Sequence, residues 1–156
     1  VSLIDRITEP AVYIEFPGSR SYSLALLPPG WDIREDAYLM TSDLNIKWSG
    51  RTVGDYVFDE RQTEHGLEVE VRSMNDEFAA RGCYAASFDY AIFDQIATEP
   101  AYQNKGLGSA IMARLSDHAA RSGLVRGVLV ATEAGRGFYA GLGWTLISTI
   151  VSIISR

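Results

Sequence analysis

The sequence has 156 residues, a length typical of one folded domain. Its content of 47% hydrophobic and 22% charged residues is ordinary for a globular protein and argues against disorder. The net charge of −6 and the lack of a dense basic cluster argue against a nucleic-acid partner, because phosphate backbones are bound by Lys and Arg. An acidic balance favours a cationic small molecule or peptide instead.

The sequence also argues against secretion, a membrane span and a metal site. Cys83 is the single cysteine and forms no internal disulfide, which favours a reducing, cytoplasmic location. Residues 1–10 are charged and lack the apolar run of a signal peptide, and no uncharged stretch approaches the roughly 20 apolar residues that a membrane helix needs. The two distant histidines, His65 and His118, give no metal-ligand spacing with one cysteine.

In the N-terminal third, the patterns predict short elements. Residues 11–16 and 22–27 are predicted as strands on either side of the turn-forming residues 17–20. Two prolines then break the chain at residues 28–29. Residues 31–60 follow neither the strand period nor the helix period clearly, and we predict one or two helices there.

From residue 67 onward the periods become clear. Residues 67–72 alternate apolar and charged side chains, as a half-buried antiparallel strand does. Two further strands are predicted at residues 79–88 and 91–98. Residues 107–121 form an amphipathic helix pattern with His118 on its apolar face, where we expect a core histidine.

The C-terminal part is predicted as a strand at residues 127–131, a helix at 134–142 and a long strand at 144–154. The order of all these elements predicts an α/β (α+β) fold with a mixed, mostly antiparallel central sheet flanked by helices. We expect one domain over residues 1–156, with residues 67–154 as its core. The last strand carries a β-branched face to which a second copy of the chain could pair, so a homodimer is a candidate assembly.

A glycine-containing loop connects the strand at residues 91–98 with the best-defined helix. Its residues are Gln103-Asn104-Lys105-Gly106-Leu107-Gly108-Ser109. Glycines allow a ligand to approach the backbone closely, and the first helical amides have no partner within the helix. Together with the helix dipole and the charge of Lys105, these amides suit a pyrophosphate.

Three other interpretations of this loop compete with a pyrophosphate site. The glycines are equally consistent with a tight strand-to-helix turn that binds nothing. A dinucleotide-binding fingerprint requires a glycine at the position of Ile111. It also requires a parallel strand before the loop, whereas the strands predicted before this loop look antiparallel. A nucleoside-triphosphate loop requires Gly-Lys followed by Ser or Thr, whereas the order here is Lys105-Gly106.

The loop and a second segment together resemble a known family. Residues 96–108, which contain Gln103, Gly106 and Gly108, resemble the acetyl-CoA-binding motif of the GNAT superfamily, in which Gln or Arg is followed by two residues, Gly, one residue, and Gly or Ala. Residues 137–144, Gly-Phe-Tyr-Ala-Gly-Leu-Gly-Trp, resemble the second motif of that family. The resemblance covers about the C-terminal half. Residues 1–60 match nothing in it and are expected to build the acceptor site.

This resemblance implies acetyl-CoA as co-substrate and assigns its binding residues. The amides of the loop would hold the pyrophosphate, with Gln103 shaping the loop; these residues are Asn104, Lys105, Gly106, Leu107, Gly108 and Ser109. The exposed edge of the strand at Ile96, Ala97 and Thr98 would pair with the pantetheine arm. A backbone amide of Ala97 or Thr98 would meet the oxyanion.

The resemblance also assigns Tyr139 as the general acid that protonates the departing thiolate. The candidate general base is Asp94, which by strand alternation would share a side with Ile92, Ile96 and Thr98. Apolar neighbours there would raise the pKa of the carboxylate, which suits a base. Asp89 and Glu133 are reserve candidates, although Glu133 would equally serve the N-terminus of its helix. Cys83 is expected to be a small buried strand residue.

Three functions remain open from sequence. The leading one is transfer of the acetyl group of acetyl-CoA to a primary amine, in a small molecule or a peptide, by direct attack in a ternary complex. The second is a non-catalytic acyl-CoA-binding or sensing module on the same fold. The third is a nucleotide-binding domain unrelated to CoA.

Overall fold

The computed structural model describes residues 6–7, 10–44 and 53–156. Most of residues 1–10 and part of the predicted helical region 31–60 therefore lie outside the described residues. The elements are β1 (Tyr13–Pro17), α1 (Arg20–Leu26), β2 (Trp31–Ile33), β3 (Ala37–Asp43), β4 (Tyr56–Gln62), β5 (Gly66–Ser73), β6 (Phe78–Ser87), β7 (Tyr90–Thr98), α2 (Leu107–Arg121), β8 (Arg126–Thr132), α3 (Glu133–Gly141) and β9 (Thr145–Ser155). Among the described residues, β1–β9, β2–β9, β4–β5, β5–β6 and β6–β7 pair antiparallel and β7–β8 pairs in parallel, so the predicted mixed fold class is confirmed.

The contacts divide the chain into two compact units. Unit 1 contains residues 1–40 and 130–156, and unit 2 contains residues 41–129. The boundary falls within β3 and within β8. The expectation of one domain over the whole chain stays a prediction.

The predicted strand at residues 22–27 is wrong, because α1 (Arg20–Leu26) occupies this segment. The apolar side chains there alternate with small ones, but Leu24 and Leu26 are both exposed. Ser23 donates its amide and its hydroxyl to the carbonyl of Ser19, which closes the first helical turn. A helix of seven residues makes only two turns, too few for the helical period to show in the sequence.

The helices predicted within residues 31–60 are also wrong for the described part of that segment. It contains β2 (Trp31–Ile33), β3 (Ala37–Asp43) and the first residues of β4 (Tyr56–Gln62). β2 has only three residues, too few to show an alternation of apolar and polar side chains. β3 is at least partly buried at every residue before Asp43, so no polar face alternates with its apolar one.

In unit 2, strands β4, β5, β6 and β7 pair in sequence order, each antiparallel to the next. β7 then pairs in parallel with the start of β8, from Tyr90–Arg126 to Ile92–Val128. The predictions at residues 67–72, 79–88 and 91–98 are confirmed as β5, β6 and β7. Side chains of β5 that alternate along the strand, Leu67, Val69 and Val71, form part of the buried core.

Helix α2 packs on β5, β6 and β7 and matches the predicted bounds. Its buried face includes Ile111 and Leu115, and Gly123 follows its last turn with φ of 86°. Gly82 lies beneath the helix, where an added Cβ would come within 2.6 Å of Ile96 Cδ1 and 2.7 Å of Ile111 Cγ2. The absence of a side chain at Gly82 therefore lets α2 lie close to the sheet.

In unit 1, β9 pairs antiparallel with β1 and with β2. Val151 and Ile153 of β9 are buried together with Trp31. The predicted long C-terminal strand is confirmed, and its residues Val151 and Ile153 are covered by the same chain. A homodimer through the rest of this strand stays a prediction. Among the described residues, no helix is long and apolar enough to cross a membrane.

Candidate active site

The loop between β7 and α2 contains two residues in the left-handed backbone region. Asn104 has φ of 61° and Gly106 has φ of 84°. Gly106 occupies the N-cap position of α2, and no side chain caps the helix there. Because a Cβ disfavours this backbone conformation, glycine suits the position.

The first amides of α2 have no acceptor within the part of the chain that the structure describes. Ala110 donates the first α-helical hydrogen bond, at 3.0 Å, to the carbonyl of Gly106. The preceding amides of Leu107, Gly108 and Ser109 make no such bond, and the first turn carries no acidic side chain. These donors and the helix dipole together form a site suited to an anion.

Side chains on both sides of the loop hold its shape. The amide nitrogen Nε2 of Gln103 donates to the carbonyl of Thr98 at 3.2 Å. The hydroxyl of Tyr102 donates to the carboxylate of Glu77, and this hydrogen bond raises the pKa of Tyr102. Lys105 Nζ lies 4.9 Å from the centre of the Tyr102 ring. The ammonium group of Lys105 is therefore held against the Tyr102 ring, at the loop that precedes α2.

Near the end of β7, the backbone groups of alternate residues point away from β6. The amide of Glu99 donates to the carbonyl of Ala79 on the β6 side at 2.9 Å. Because successive amides of a strand point to opposite edges, Thr98 and Ile96 point their amides and carbonyls the other way. Parallel pairing with β8 inside unit 2 ends at Ile92. Among the described residues of unit 2, no strand therefore pairs with this edge of β7 at Ile96 and Thr98.

A β-bulge interrupts β7 just before that edge. Arg81 lies opposite Ala97 and Cys83 lies opposite Asp94, so Gly82 alone faces two residues of β7. Gln95, one of these two, has φ of 54°. Such a bulge changes which side the following residues occupy.

The bulge makes the predicted side-chain alternation at Asp94 wrong. Ile96 points towards Ile111 of α2, whereas Asp94 is an exposed residue opposite Cys83. Asp94 therefore does not share a face with Ile96 and Thr98, and the apolar surroundings expected for it are not found. Its Oδ1 atom accepts a hydrogen bond from the amide of Gln95 at 2.8 Å.

Cys83 is the partly buried neighbour of Asp94 across the strand pair. Its thiol donates to the Asp94 carbonyl at 3.4 Å. Burial, and then the negative charges of Asp94 and Glu68, raise the pKa of the Cys83 thiol. A thiol held in its neutral form suits a structural role better than a nucleophilic one.

Tyr139 lies in unit 1 on α3, where it is 9% exposed. The helix starts at Thr132, whose side chain accepts from the amide of Gly135 at 3.1 Å. The Tyr139 ring makes edge contacts with Phe138, at 5.0 Å between ring centres, and with Trp144, at 6.2 Å. Packing on two sides fixes the direction of the ring.

The reserve candidates for the general base, Asp89 and Glu133, and the predicted core histidine, His118, lie in different surroundings. Asp89 is exposed in the turn before β7, and its carbonyl accepts from the Val125 amide. Glu133 begins α3, and its hydrogen bond with Tyr38 raises the pKa of that phenol. His118 is half-buried with Nδ1 2.7 Å from the hydroxyl of Tyr84, as expected for a histidine near the core.

A family model described as an acetyltransferase (GNAT) domain matches residues 50–146, which is more than half of the chain. The chain belongs to the GNAT acetyltransferase family. No curated protein matches the sequence.

Solved structures show the same GNAT fold at low identity. A GCN5-related N-acetyltransferase from Kribbella flavida is 13% identical with a TM-score of 0.71, over 93% of this chain and 68% of that one. A GCN5-related N-acetyltransferase from Sphaerobacter thermophilus is 10% identical with a TM-score of 0.73, over 96% of this chain and 61% of that one. A putative GNAT-family acetyltransferase from Novosphingobium aromaticivorans is 16% identical with a TM-score of 0.67, over 99% and 78%.

The structure places most of the predicted site residues of this GNAT domain in one unit. The β7 edge, Asp94 and the loop at residues 103–109 belong to unit 2, whereas Tyr139 belongs to unit 1.

The first amides of α2 and the left-handed Gly106 fit the pyrophosphate of acetyl-CoA, and the family implies this co-substrate. The described residues contain no cluster of three or more His, Cys, Asp or Glu side chains that could hold a metal ion.

The sequence interpretation missed two structural features beside Asp94. One is the bulge at Gln95, and its signal is the pair Asp94-Gln95, two consecutive polar residues within an otherwise alternating strand. The other is Arg81, which flanks the bulge on β6. No local sequence pattern distinguishes this arginine from an ordinary surface residue.

Proposed function

We propose that this GNAT domain transfers the acetyl group of acetyl-CoA to a primary amine by direct attack in a ternary complex. The observation that carries the proposal is the start of α2. There Gly106 adopts φ of 84° at the N-cap, and the amides of Leu107, Gly108 and Ser109 have no acceptor among the described residues. These are the donors that a pyrophosphate requires.

The rest of the donor site follows from the direction of the chain. The loop at residues 104–109 would hold the pyrophosphate, and the adjacent Lys105 would add one positive charge. The open edge of β7 at Ile96 and Thr98 would pair with the amides of the pantetheine arm. Because the loop follows the end of β7, the arm would run back along this strand towards the bulge at Gln95.

In the reaction, the amine nitrogen forms a bond to the acetyl carbonyl carbon and the carbon–sulfur bond breaks. The electron pair of that bond leaves on the CoA sulfur, and the nitrogen loses one proton. An alkylamine with a pKa near 10.4 is neutral about one time in 2,500 at pH 7, which adds roughly 4.6 kcal/mol unless the site removes the proton. A thiolate with a pKa near 8.5 needs only a weak acid.

The proposed roles follow from these demands. Asp94 would take a proton from the ammonium group of the acceptor and so free the nitrogen lone pair for the attack, since it is the carboxylate next to the bulge. Thr98 rather than Ala97 would direct a backbone amide to the oxyanion, because its amide points away from β6. Tyr139 would protonate the leaving sulfur.

A second candidate is an acyl-CoA-binding module that does not catalyse transfer. The exposure of Asp94 favours it, because a solvated carboxylate is a weaker base than one in apolar surroundings. A cytoplasmic location fits either candidate, since the one cysteine of the sequence is a free thiol.

Two measurements test the proposal in order. Acetyl-CoA should raise the melting temperature of the protein more than ATP or NAD does, because a ligand stabilises the folded state that binds it. Thiol release from acetyl-CoA should then rise on adding a primary amine from a broad panel. Binding without release across the panel would support the sensing module, and the absence of any shift with acetyl-CoA would contradict both candidates.

A further inference from the structure

Unit 2 contains a shallow cavity of about 230 Å³ on its sheet, lined by residues of β4, β5, β6 and β7. Glu68 and Glu70 line it, and they alternate with the core residue Val69, whose side chain lies on the α2 side of the sheet. The cavity therefore opens on the face that α2 does not cover. Cys83 and Gln95 lie at its β7 side, next to the bulge.

Most charges in this cavity are already paired. Arg61 forms an ion pair with Glu68. Glu70 accepts from Arg72, with 2.6 Å between Arg72 Nη2 and Glu70 Oε1. Arg81 also lines the cavity and lies opposite Glu70 in the β5–β6 pair, but in the part of the chain that the structure describes it makes no ion pair. Asp59 lines the cavity as well and makes no ion pair among the described residues either. A planar guanidinium that forms no ion pair can bind the carboxylate of a ligand through two parallel hydrogen bonds.

Arg81 and Asp94 lie at opposite ends of a short segment beside the bulge. Arg81 and Cys83 are two residues apart on β6, so their side chains share one face and lie about 7 Å apart along the strand. Cys83 is directly opposite Asp94. A cation and an anion thus flank Cys83 and Gln95.

The next step rests on the proposed function. If the pantetheine arm runs back along β7 from the loop, its thioester end reaches the bulge at Gln95. The amine must approach that point, where Asp94 supplies a carboxylate. A second charged group of the acceptor would then meet Arg81, which attracts an anion and repels a further cation.

We propose that the acceptor of this enzyme is an amine that also carries a carboxylate, such as a free α-amino acid, and that Arg81 binds that carboxylate. A polyamine is the competing acceptor, because the cavity also contains acidic side chains. The positive charge of Arg81 beside the bulge argues against it.

The test compares matched acceptors on the whole chain. The ratio of kcat/KM for an α-amino acid to that for its carboxamide, and to that for the corresponding decarboxylated amine, is measured in the wild type and in Arg81→Gln. We expect the wild type to prefer the amino acid. The substitution should lower that preference by about ten- to a hundredfold, mainly through KM, since a charge-assisted hydrogen bond contributes about 1.5–3 kcal/mol.

Two further variants complete the design. Arg121→Gln makes the same charge change on α2, where Arg121 pairs with Asp117, and should keep the wild-type preference. Arg81→Lys retains the charge without the planar fork and should show an intermediate preference.

The outcomes separate the two proposals. A wild type that acetylates polyamines or carboxamides better than amino acids would overturn the role of Arg81, even if Arg81→Gln did not fold. An unchanged preference in a folded Arg81→Gln variant would overturn it as well. Failure of acetyl-CoA to bind the wild type would instead refute the proposed function on which this inference rests.

Discussion

The side chain of Gln103 donates a hydrogen bond to the backbone carbonyl of Thr98 at 3.2 Å, joining the loop before α2 to the end of β7. Thr98 directs its amide to the same edge as this carbonyl. One side chain therefore connects the two backbone segments that we assign to the pyrophosphate and to the pantetheine arm. This hydrogen bond holds the loop and the end of β7 in a fixed relation to each other.

Substitution of Gly106 by Glu should abolish binding of acetyl-CoA. The new side chain brings bulk and a negative charge to the amides at the start of α2, and like charges at close range cost several kcal/mol. We expect affinity to fall by roughly a hundredfold or more, measured by isothermal titration calorimetry.

Gly123→Glu is the matched control for this experiment. Gly123 has φ of 86°, close to the 84° of Gly106, and lies in open space after the last turn of α2. Both variants introduce the same charge and the same left-handed strain of about 1–2 kcal/mol. Equal loss of affinity in the two variants, or retained affinity in Gly106→Glu, would remove the pyrophosphate assignment.

Replacement of Tyr139 by Phe should lower kcat while leaving the affinity for acetyl-CoA nearly unchanged. The substitution removes one hydroxyl from a ring that Phe138 and Trp144 hold in place, so the packing should persist. We expect roughly a tenfold loss, less than the hundredfold or more that is usual for general acid catalysis, because a thiolate leaves easily. Thiol release under saturating acetyl-CoA measures it.

Tyr13→Phe serves as the control, since Tyr13 is 56% exposed on β1. It should retain full turnover. If Tyr139→Phe matched it, Tyr139 would have no role as an acid and the ring would be a packing residue.

The sequence predicted the C-terminal part of the fold well, because its elements are long. Residues 107–121 make four helical turns and β5 alternates over its whole length, so each period repeats often enough to be recognised. The segment at residues 22–27 was misassigned because α1 is short and its leucines stay exposed. Short elements carry too few residues to reveal their period.

The site was predictable where backbone geometry follows local sequence. A glycine at the start of a helix is visible in the sequence, and Gly106 adopts the left-handed conformation that this implies. The surroundings of Asp94 were mispredicted: the consecutive polar residues Asp94 and Gln95 indicate an irregularity, but its effect on the alternation depends on the pairing with β6. For the same reason Arg81 was missed: its position relative to the bulge comes from strand register.

Asp94→Asn tests the proposed base. The amide oxygen of Asn can still accept the hydrogen bond that the Gln95 amide donates, so the bulge should persist. Loss of the carboxylate should lower kcat/KM by roughly a hundredfold if Asp94 removes the proton from the amine. Asp117→Asn, on the exposed side of α2, provides the control, and equal activity in the two variants would eliminate Asp94 as the base.

The pH dependence of Cys83 alkylation tests the charges of Asp94 and Arg81 on either side of this thiol. Burial raises the pKa of this thiol, and the carboxylates of Asp94 and Glu68 raise it further. Since the thiolate is the reactive form, alkylation by iodoacetamide should be slower than for an unhindered thiol near pH 8, and its rate should rise at higher pH.

Asp94→Asn removes one negative charge and should shift the rate profile to lower pH. Arg81→Gln should shift it to higher pH, because the guanidinium of Arg81 lowers the pKa of the thiol. Profiles that move together in both variants would show that the two side chains do not flank Cys83 with opposite charges.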